Sequence, residues 1–440
     1  MKKTINLFLS LILLFTISNT SFAQQASPFG NRGSFTGALG MTVIDDETYF
    51  TINLTPDVSI GKFGLGLNVN LLYNTENGAI RSVDWDESYD WARLIRYIRY
   101  GHKRDKFYAR VGTLDAARLG HGFIMNYYTN EANYDQRKIG MALDMDFGTA
   151  GFETVTNNLG RFEVFGARGY ARPLRPYIDI PIVKNLTIGA TYVTDVDPDS
   201  RRGTDDGIYA LGFDIELPLI KMPMFNTFTY FDWAKIDSFG SGIAIGIEAN
   251  LRLIAGVAEV SAKLERRILG KEFIPAYFDA FYEIQRYQPL SDGTIFRKDT
   301  SRVNIPVGAR SLIGIQKETK GVFGELAGNI LNTIRLVGNY QYLDQTPNSG
   351  ILHLAADSGD KIPVLAFQAT YDKMGIETIN DAFTLDDRSI ARIGVGYKVK
   401  PYLMLFMDYI HTFQFDEAKN KYKAQKRISP RVAFVYNFDF

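Results

Sequence analysis

Apolar and polar residues alternate one for one along most of this chain. Residues 62–74 place Phe63, Leu65, Leu67, Val69, Leu71 and Tyr73 on one face and Gly64, Gly66, Asn68 and Asn70 on the other. Residues 138–147 repeat the arrangement, with Ile139, Met141, Leu143, Met145 and Phe147 opposite Lys138, Gly140, Ala142, Asp144 and Asp146. Residues 207–217 do so again, with Tyr209, Leu211, Phe213, Ile215 and Leu217 opposite Gly212, Asp214 and Glu216. A strand sends successive side chains to opposite faces, so period two over about ten residues predicts strands with one apolar face. Similar segments lie near 34–43, 48–56, 91–100, 106–114, 150–157, 162–170, 185–195, 224–236, 242–254, 257–268 and 273–285. Others lie near 308–317, 321–329, 333–344, 351–357, 362–372, 388–399, 402–415 and 427–440. Short connections at 148–151, 255–256 and 400–401 alternate with long ones at 74–90, 115–136, 195–206, 286–306, 373–387 and 416–426.

The N-terminus departs from this pattern. Residues 1–23, MKKTINLFLSLILLFTISNTSFA, carry Lys2 and Lys3, then an apolar run, then a small-residue site at Ser21-Phe22-Ala23. That is the form of a cleaved secretory signal peptide, which leaves residues 24–440 as one domain. No later stretch has 18 or more apolar residues, so no transmembrane helix is predicted. No repeat of fixed period and no linker divides the chain.

Composition narrows the function. With 49 basic and 49 acidic side chains the net charge is zero, and no partner such as nucleic acid is indicated. There is no cysteine, which excludes disulfides, thiolate metal sites and cysteine nucleophiles. The 25 Tyr, 31 Phe and 39 Gly suit aromatic-faced strands better than helices.

Alternating strands also build soluble sandwiches and propellers. The last segment, VAFVYNFDF, decides between these folds. Val432, Phe434, Tyr436, Phe438 and Phe440 alternate up to a terminal aromatic carboxylate, which resembles the C-terminal assembly signal of outer-membrane β-barrel proteins. The resemblance implies an all-β fold, a transmembrane antiparallel up-and-down β-barrel of the porin-like class from a Gram-negative outer membrane. Outer-membrane lipid, lipopolysaccharide and the barrel-assembly machinery would then be its partners. Chain length and the even-number rule give about 18 strands, within a range of roughly 16–22. Lipid leaves no backbone amide unpaired, so such a sheet must close.

The faces opposite the apolar ones would line a lumen. Around Ala255-Gly256, a two-residue turn sets Ile247, Ala249, Leu251 and Leu253 outward against Leu264, Ala262, Val260 and Ala258. Arg252 then opposes Glu259, Asn250 opposes Ser261 and Glu248 opposes Lys263, all inward. A basic cluster at 91–110 puts Arg93, Arg99 and Arg110 on inward positions, while Arg96 breaks the alternation and suggests a bulge. Facing Asp144, Asp146, Asp214 and Glu216, these arginines would create a transverse field at a constriction. The loop 195–206 follows calcium-loop spacing at Asp195, Asp197, Asp199 and Asp206. It lacks the turn glycine and the terminal glutamate, so it reads as a solvated outer loop.

Of the four histidines, His121 lies between Gly120 and Gly122. That context suits a turn folding into the lumen more than a metal site, which would need further ligands. No cofactor is predicted. A three-residue turn would pair Ser389 with His411 on the lipid side, as in an outer-membrane hydrolase, whereas a slip of two would pair Ala391 with His411. The sequence thus predicts a non-enzymatic channel for small polar solutes. A transporter for apolar ligands, a structural or adhesive barrel and the Ser389/His411 hydrolase stand as alternatives.

Overall fold

The computed structural model describes residues 32–439 apart from 45–46, 86–89, 92, 104, 133–137, 199–206, 254–257, 287, 290–294, 297–316, 332, 359–361, 387 and 417–420. Residues 1–23 and Phe440 therefore lie outside the described residues. Antiparallel strands follow the chain in order: β1 (Arg32–Ile44), β2 (Glu47–Ile60), β3 (Phe63–Leu67 and Val69–Asn74), β4 (Ile95–Tyr100), β5 (Phe107–Gly112), β6 (Gly140–Asp146) and β7 (Ala150–Thr156). Next come β8 (Val164–Ala171), β9 (Thr187–Asp195), β10 (Ile208–Lys221), β11 (Phe225–Ile236), β12 (Ser241–Leu253), β13 (Ala258–Leu269) and β14 (Thr319–Ile330). The last are β15 (Ile334–Leu343), β16 (Gly350–Asp357), β17 (Leu365–Ile376), β18 (Ser389–Lys400), β19 (Leu403–Asp416) and β20 (Lys421–Asp439). One sheet holds 21 bonded segments. Both halves of β3 pair with β2, so the strands number 20. The first strand pairs with the last as well as with β2, Phe35 lying opposite Tyr436 and Pro56. The sheet is closed and has no edge.

Alternation places the apolar rows outside. Leu39, Leu211, Ile245, Leu264 and Leu405 are all exposed on the outer face. Exposed aromatics form two belts. Phe50, Tyr73, Tyr209 and Tyr342 ring the mouth that carries the long loops, and Phe35, Phe63, Tyr100, Phe147, Phe434 and Tyr436 ring the other. Amphipathic rings favour the two interfaces of a bilayer, which accounts for a belt at each end. Val432 shares the outer face with Phe434 and Tyr436 in the terminal strand. No helix among the described residues is long and apolar enough to cross a membrane. The short-turn mouth carries one long connection, residues 172–186, which the sequence pattern did not single out.

The predicted hairpin register appears residue for residue, with Arg252 opposite Glu259, Asn250 opposite Ser261 and Glu248 opposite Lys263. Facing Cα atoms in such a ladder lie about 4.5–5.5 Å apart, within disulfide reach. Cysteines replacing Arg252 and Glu259 should therefore crosslink on mild oxidation, read as a mobility shift without reductant. Crosslinking only at positions offset by two would overturn the register.

Residues 273–285, expected as a strand, are not one. They run inside the barrel and end in the single turn α1 (Tyr282–Gln285). A second inward loop, residues 113–139, touches strands all round the wall. Gly120 meets Glu153 of β7, His121 meets Asp232 of β11, Arg118 meets Glu325 of β14 and Ala132 meets Thr412 of β19. Only a loop that crosses the lumen can make all four contacts. The two loops bond to each other through Asn126 N–H to the Phe278 carbonyl (3.0 Å) and Phe278 N–H to the Ile124 carbonyl (3.1 Å).

The wall is shaped to receive them. Ala142, Ala210, Ala234 and Ala244 point inward and are fully buried beneath Met125, Phe278 and Tyr282. A Cβ on Gly166 would come within 2.7 Å of Leu119, and one on Gly212 within 2.7 Å of Ile124. Each large apolar side chain buried there contributes about 1.5–3 kcal/mol. One side of the lumen is thus a packed apolar core, unlike the uniformly polar interior of a simple pore.

Candidate solute pathway

On the opposite side of the lumen, against β2, β3 and β16–β20, a cavity of about 390 Å³ remains. Its wall side carries Asn53, Asn68, Gln368 and Thr370, and three arginines, Arg392, Arg427 and Arg431. The inward loop contributes Asp115, Tyr127, Thr129 and Glu131. Asp115, Glu131, Asp372 and Asp408 are the four carboxylates on the lining. Arginine and carboxylate therefore do confront each other in the lumen, but through residues other than those predicted.

Alternation explains why these arginines point inward. Arg392 precedes exposed Ile393, Arg427 precedes exposed Ile428 and Arg431 precedes exposed Val432. Arg431 bonds to Asp408 and donates to Asn53 (2.7 Å), which in turn donates to Asn68 (3.0 Å). Arg392 donates to the Glu131 carbonyl and so ties the loop to the wall. His353 bonds Asp372 (2.7 Å), and the Tyr127 ring lies over it at 3.9 Å, tilted by 31°.

The residues picked from sequence occupy several separate settings. Arg93 is not on a strand: it lies in the turn before β4 and pairs with Asp90. Arg96 is the extra residue of a bulge, since Leu67 pairs with Ile95 and Gly66 with Tyr97. It bonds Asp57. Arg99 and Arg110 do point inward and are cross-strand partners, each 3% exposed. Arg99 donates to the Gly101 carbonyl (2.7 Å), and Arg110 to the Thr113 carbonyl (2.8 Å) and to Asp115 (3.2 Å).

The predicted acids are bonded to other bases. Asp144 pairs with Lys103 (2.8 Å), Asp146 with Arg172 (2.9 Å), Asp214 with Arg168 (2.6 Å) and Glu216 with His121 (3.2 Å). Asp214 and Arg168 reach across the strand between them, and the other pairs join a strand to a loop, where two charges are close enough to offset their desolvation. Glu248 and Lys263 face inward and are buried, with Lys263 bonded to Glu265 (2.7 Å). The Arg252–Glu259 pair (3.4 Å) is exposed at the short-turn mouth, where such pairs stabilise little.

A second network at the long-loop mouth was not foreseen. Arg286, just after α1, makes a two-pronged bond to Asp195 (2.9 Å each) and meets Glu163 (2.8 Å). Lys138 bridges Glu163 (2.9 Å) and Glu283 (2.8 Å). Tyr282 donates to Asp195 (2.8 Å) and Tyr128 to Glu283. Burial alone would raise the Glu163 and Glu283 carboxyls, but Lys138 and Arg286 outweigh it and lower both to about 2. Asp195, expected in a solvated loop, is fully buried by this network. Asp199 and Asp206 lie outside the described residues.

The Ser389/His411 pairing is corrected. His411 lies opposite Ala391. Ser389 instead donates to the Asp386 carbonyl (2.8 Å), and His411 Nε2 approaches the same carbonyl (3.1 Å). Both side chains are buried and meet at the Asp386 carbonyl rather than at each other.

No family model matches the chain, and no curated protein matches it. Among solved structures it is similar to a ferric enterobactin receptor of Pseudomonas aeruginosa in complex with enterobactin, with 10% identity and a TM-score of 0.35, over 94% of this chain and 82% of that one. It is also similar to OccK9 from Pseudomonas aeruginosa, with 12% identity and a TM-score of 0.31, over 93% and 98%. OccK11 of the same bacterium gives 10% identity and a TM-score of 0.30, over 93% and 95%. At such values the class rests on the chain's own geometry. A closed up-and-down sheet, an apolar outer face between two aromatic belts and a charged interior give this chain the architecture of an outer-membrane β-barrel, closed over 20 strands.

Proposed function

We propose that the chain is an outer-membrane channel through which small polar solutes diffuse along the lane beside the inward loops. The observation that carries this reading is the lining itself. Amides, hydroxyls, His353, three arginines and four carboxylates line the cavity, beside Ile390, Ile393 and Ile410. Hydrogen-bonding groups at that density replace water around a polar solute without holding it. In this reading residues 1–23 direct export, residues 24–440 form one domain, and the long loops face outward with Phe440 at the periplasmic end.

Transport of apolar ligands is the weaker reading. The apolar part of the lumen is filled by the protein's own Met125, Phe278 and Tyr282, all fully buried. Protein refolded in detergent and inserted into planar bilayers should show steady ionic conductance. Neutral polymers small enough to enter the lane should reduce it, and larger ones should not. A silent bilayer containing correctly folded protein would refute the channel.

A further inference from the structure

We propose that His121 and Asp232, with Asp214 and Glu216 beside them, form a binding site for one divalent transition-metal cation that pins the tip of the lumenal loop to the wall. The site is built by two rigid strands and one turn. Asp214 and Glu216 project inward from β10, and Asp232 projects inward from β11 opposite Asp214. His121 arrives at the tip of residues 113–139. Gly120 (φ 53°) and Gly122 (φ 87°) flank it in left-handed conformations that let the chain reverse there.

Three observations point to a cation. Both ring nitrogens of His121 face carboxylate oxygens, Nδ1 at 3.1 Å from Asp232 and Nε2 at 3.2 Å from Glu216. One ligand atom each from His121, Asp214 and Asp232 falls within 4.8 Å of the other two. Ligands sharing a tetrahedral cation at about 2.1 Å lie roughly 3.4 Å apart, so side-chain rotations of about an ångström complete the shell. Independently, Asp232 is 5% exposed, and its Oδ2 is buried with no hydrogen-bond partner. A buried carboxylate oxygen left without a donor is costly, and a metal satisfies it.

The surroundings hold the ligands in place. Tyr230 stacks on the His121 ring at 3.9 Å and 12°. Lys263 donates to the His121 carbonyl. Arg168 grips both oxygens of Asp214 (2.9 and 2.6 Å) and fixes its orientation, as outer partners do in metal centres, while lowering its donor strength. One imidazole with carboxylates suits zinc or manganese better than calcium.

The test is a calorimetric titration of the refolded barrel with Zn2+ at neutral pH, paralleled by Mn2+ binding read by electron paramagnetic resonance. One equivalent should bind, and Asp232→Asn and His121→Gln should each weaken it at least tenfold. Glu259→Gln, at the far mouth, should leave it unchanged. Heat-modifiable migration reports whether each variant is folded. A folded wild-type barrel that binds neither ion would overturn the site, as would binding that survives both substitutions.

Discussion

Replacing Arg286 with methionine should convert a narrow, steady pore into a wider and noisier one. Arg286 joins α1 to Asp195 of the wall and to Glu163. Removing it leaves Asp195 buried without its cation, at a cost of about 3–5 kcal/mol in comparable buried pairs. The wall strands keep their ladders, so the strain falls on the inward loops, which should leave their seat. Single-channel recording should show larger unit conductance with frequent partial closures, while heat-modifiable migration stays normal. Conductance equal to the wild type would mean that the network does not hold the loops. Acid gives a second handle on the same contacts. Because Glu163 and Glu283 are depressed from 4.5 to about 2 in the folded protein, their stabilisation is complete above the ordinary carboxylate range. It fades as pH falls from 4.5 towards 2. The wild-type pore should therefore stay quiet at pH 5 and become noisy only well below pH 4.

The second large effect concerns ion selectivity. The lane sets Arg392, Arg427 and Arg431 against four carboxylates, so the wild-type channel should discriminate weakly between ions. Changing all three arginines to glutamine leaves the carboxylates unopposed over a region comparable to the Debye length, about 8 Å at physiological salt. The reversal potential in a salt gradient should move strongly towards cations, and the shift should shrink as salt rises. Arg99→Gln serves as the contrast. That side chain bonds to the Gly101 carbonyl, outside the lane lining. An unchanged reversal potential in the triple variant, or a larger shift in the Arg99 variant, would move the selective region away from the lane.

The strands were legible because two different solvents act on them. Lipid on one side and lumen on the other force the alternation seen at Phe63 to Tyr73 and at Met141 to Met145. The interior loop was misread for the same reason. Phe273, Phe278, Phe281 and Tyr282 are buried on every side, so no polar face distinguishes a packed insert from a strand. Segment 308–317 falls almost wholly outside the described residues. The inward arginines of β18 and β20 could have been found from alternation alone, since each precedes an exposed apolar residue, Ile393, Ile428 and Val432. What sequence could not supply was the choice of partner across the lumen. Thr412 meets Ala132, 280 residues away, and nothing local to either residue encodes that meeting. His121 illustrates both outcomes: its glycine neighbours announced an inward turn, but Asp232 and Glu216 come from strands about a hundred residues later.

The half-filled lumen also has an electrical consequence. In an applied field the potential falls most steeply where the conducting cross-section is smallest. Here that is the lane, bordered on one side by Asp115 and Glu131 of the loop itself. A unit charge carried through the whole drop exchanges about 2.3 kcal/mol per 100 mV, comparable to one or two net hydrogen bonds. In the proposed channel, the insert that narrows the passage would also carry charge within the field it concentrates, which would give the barrel a voltage sense with no wall strand having to move.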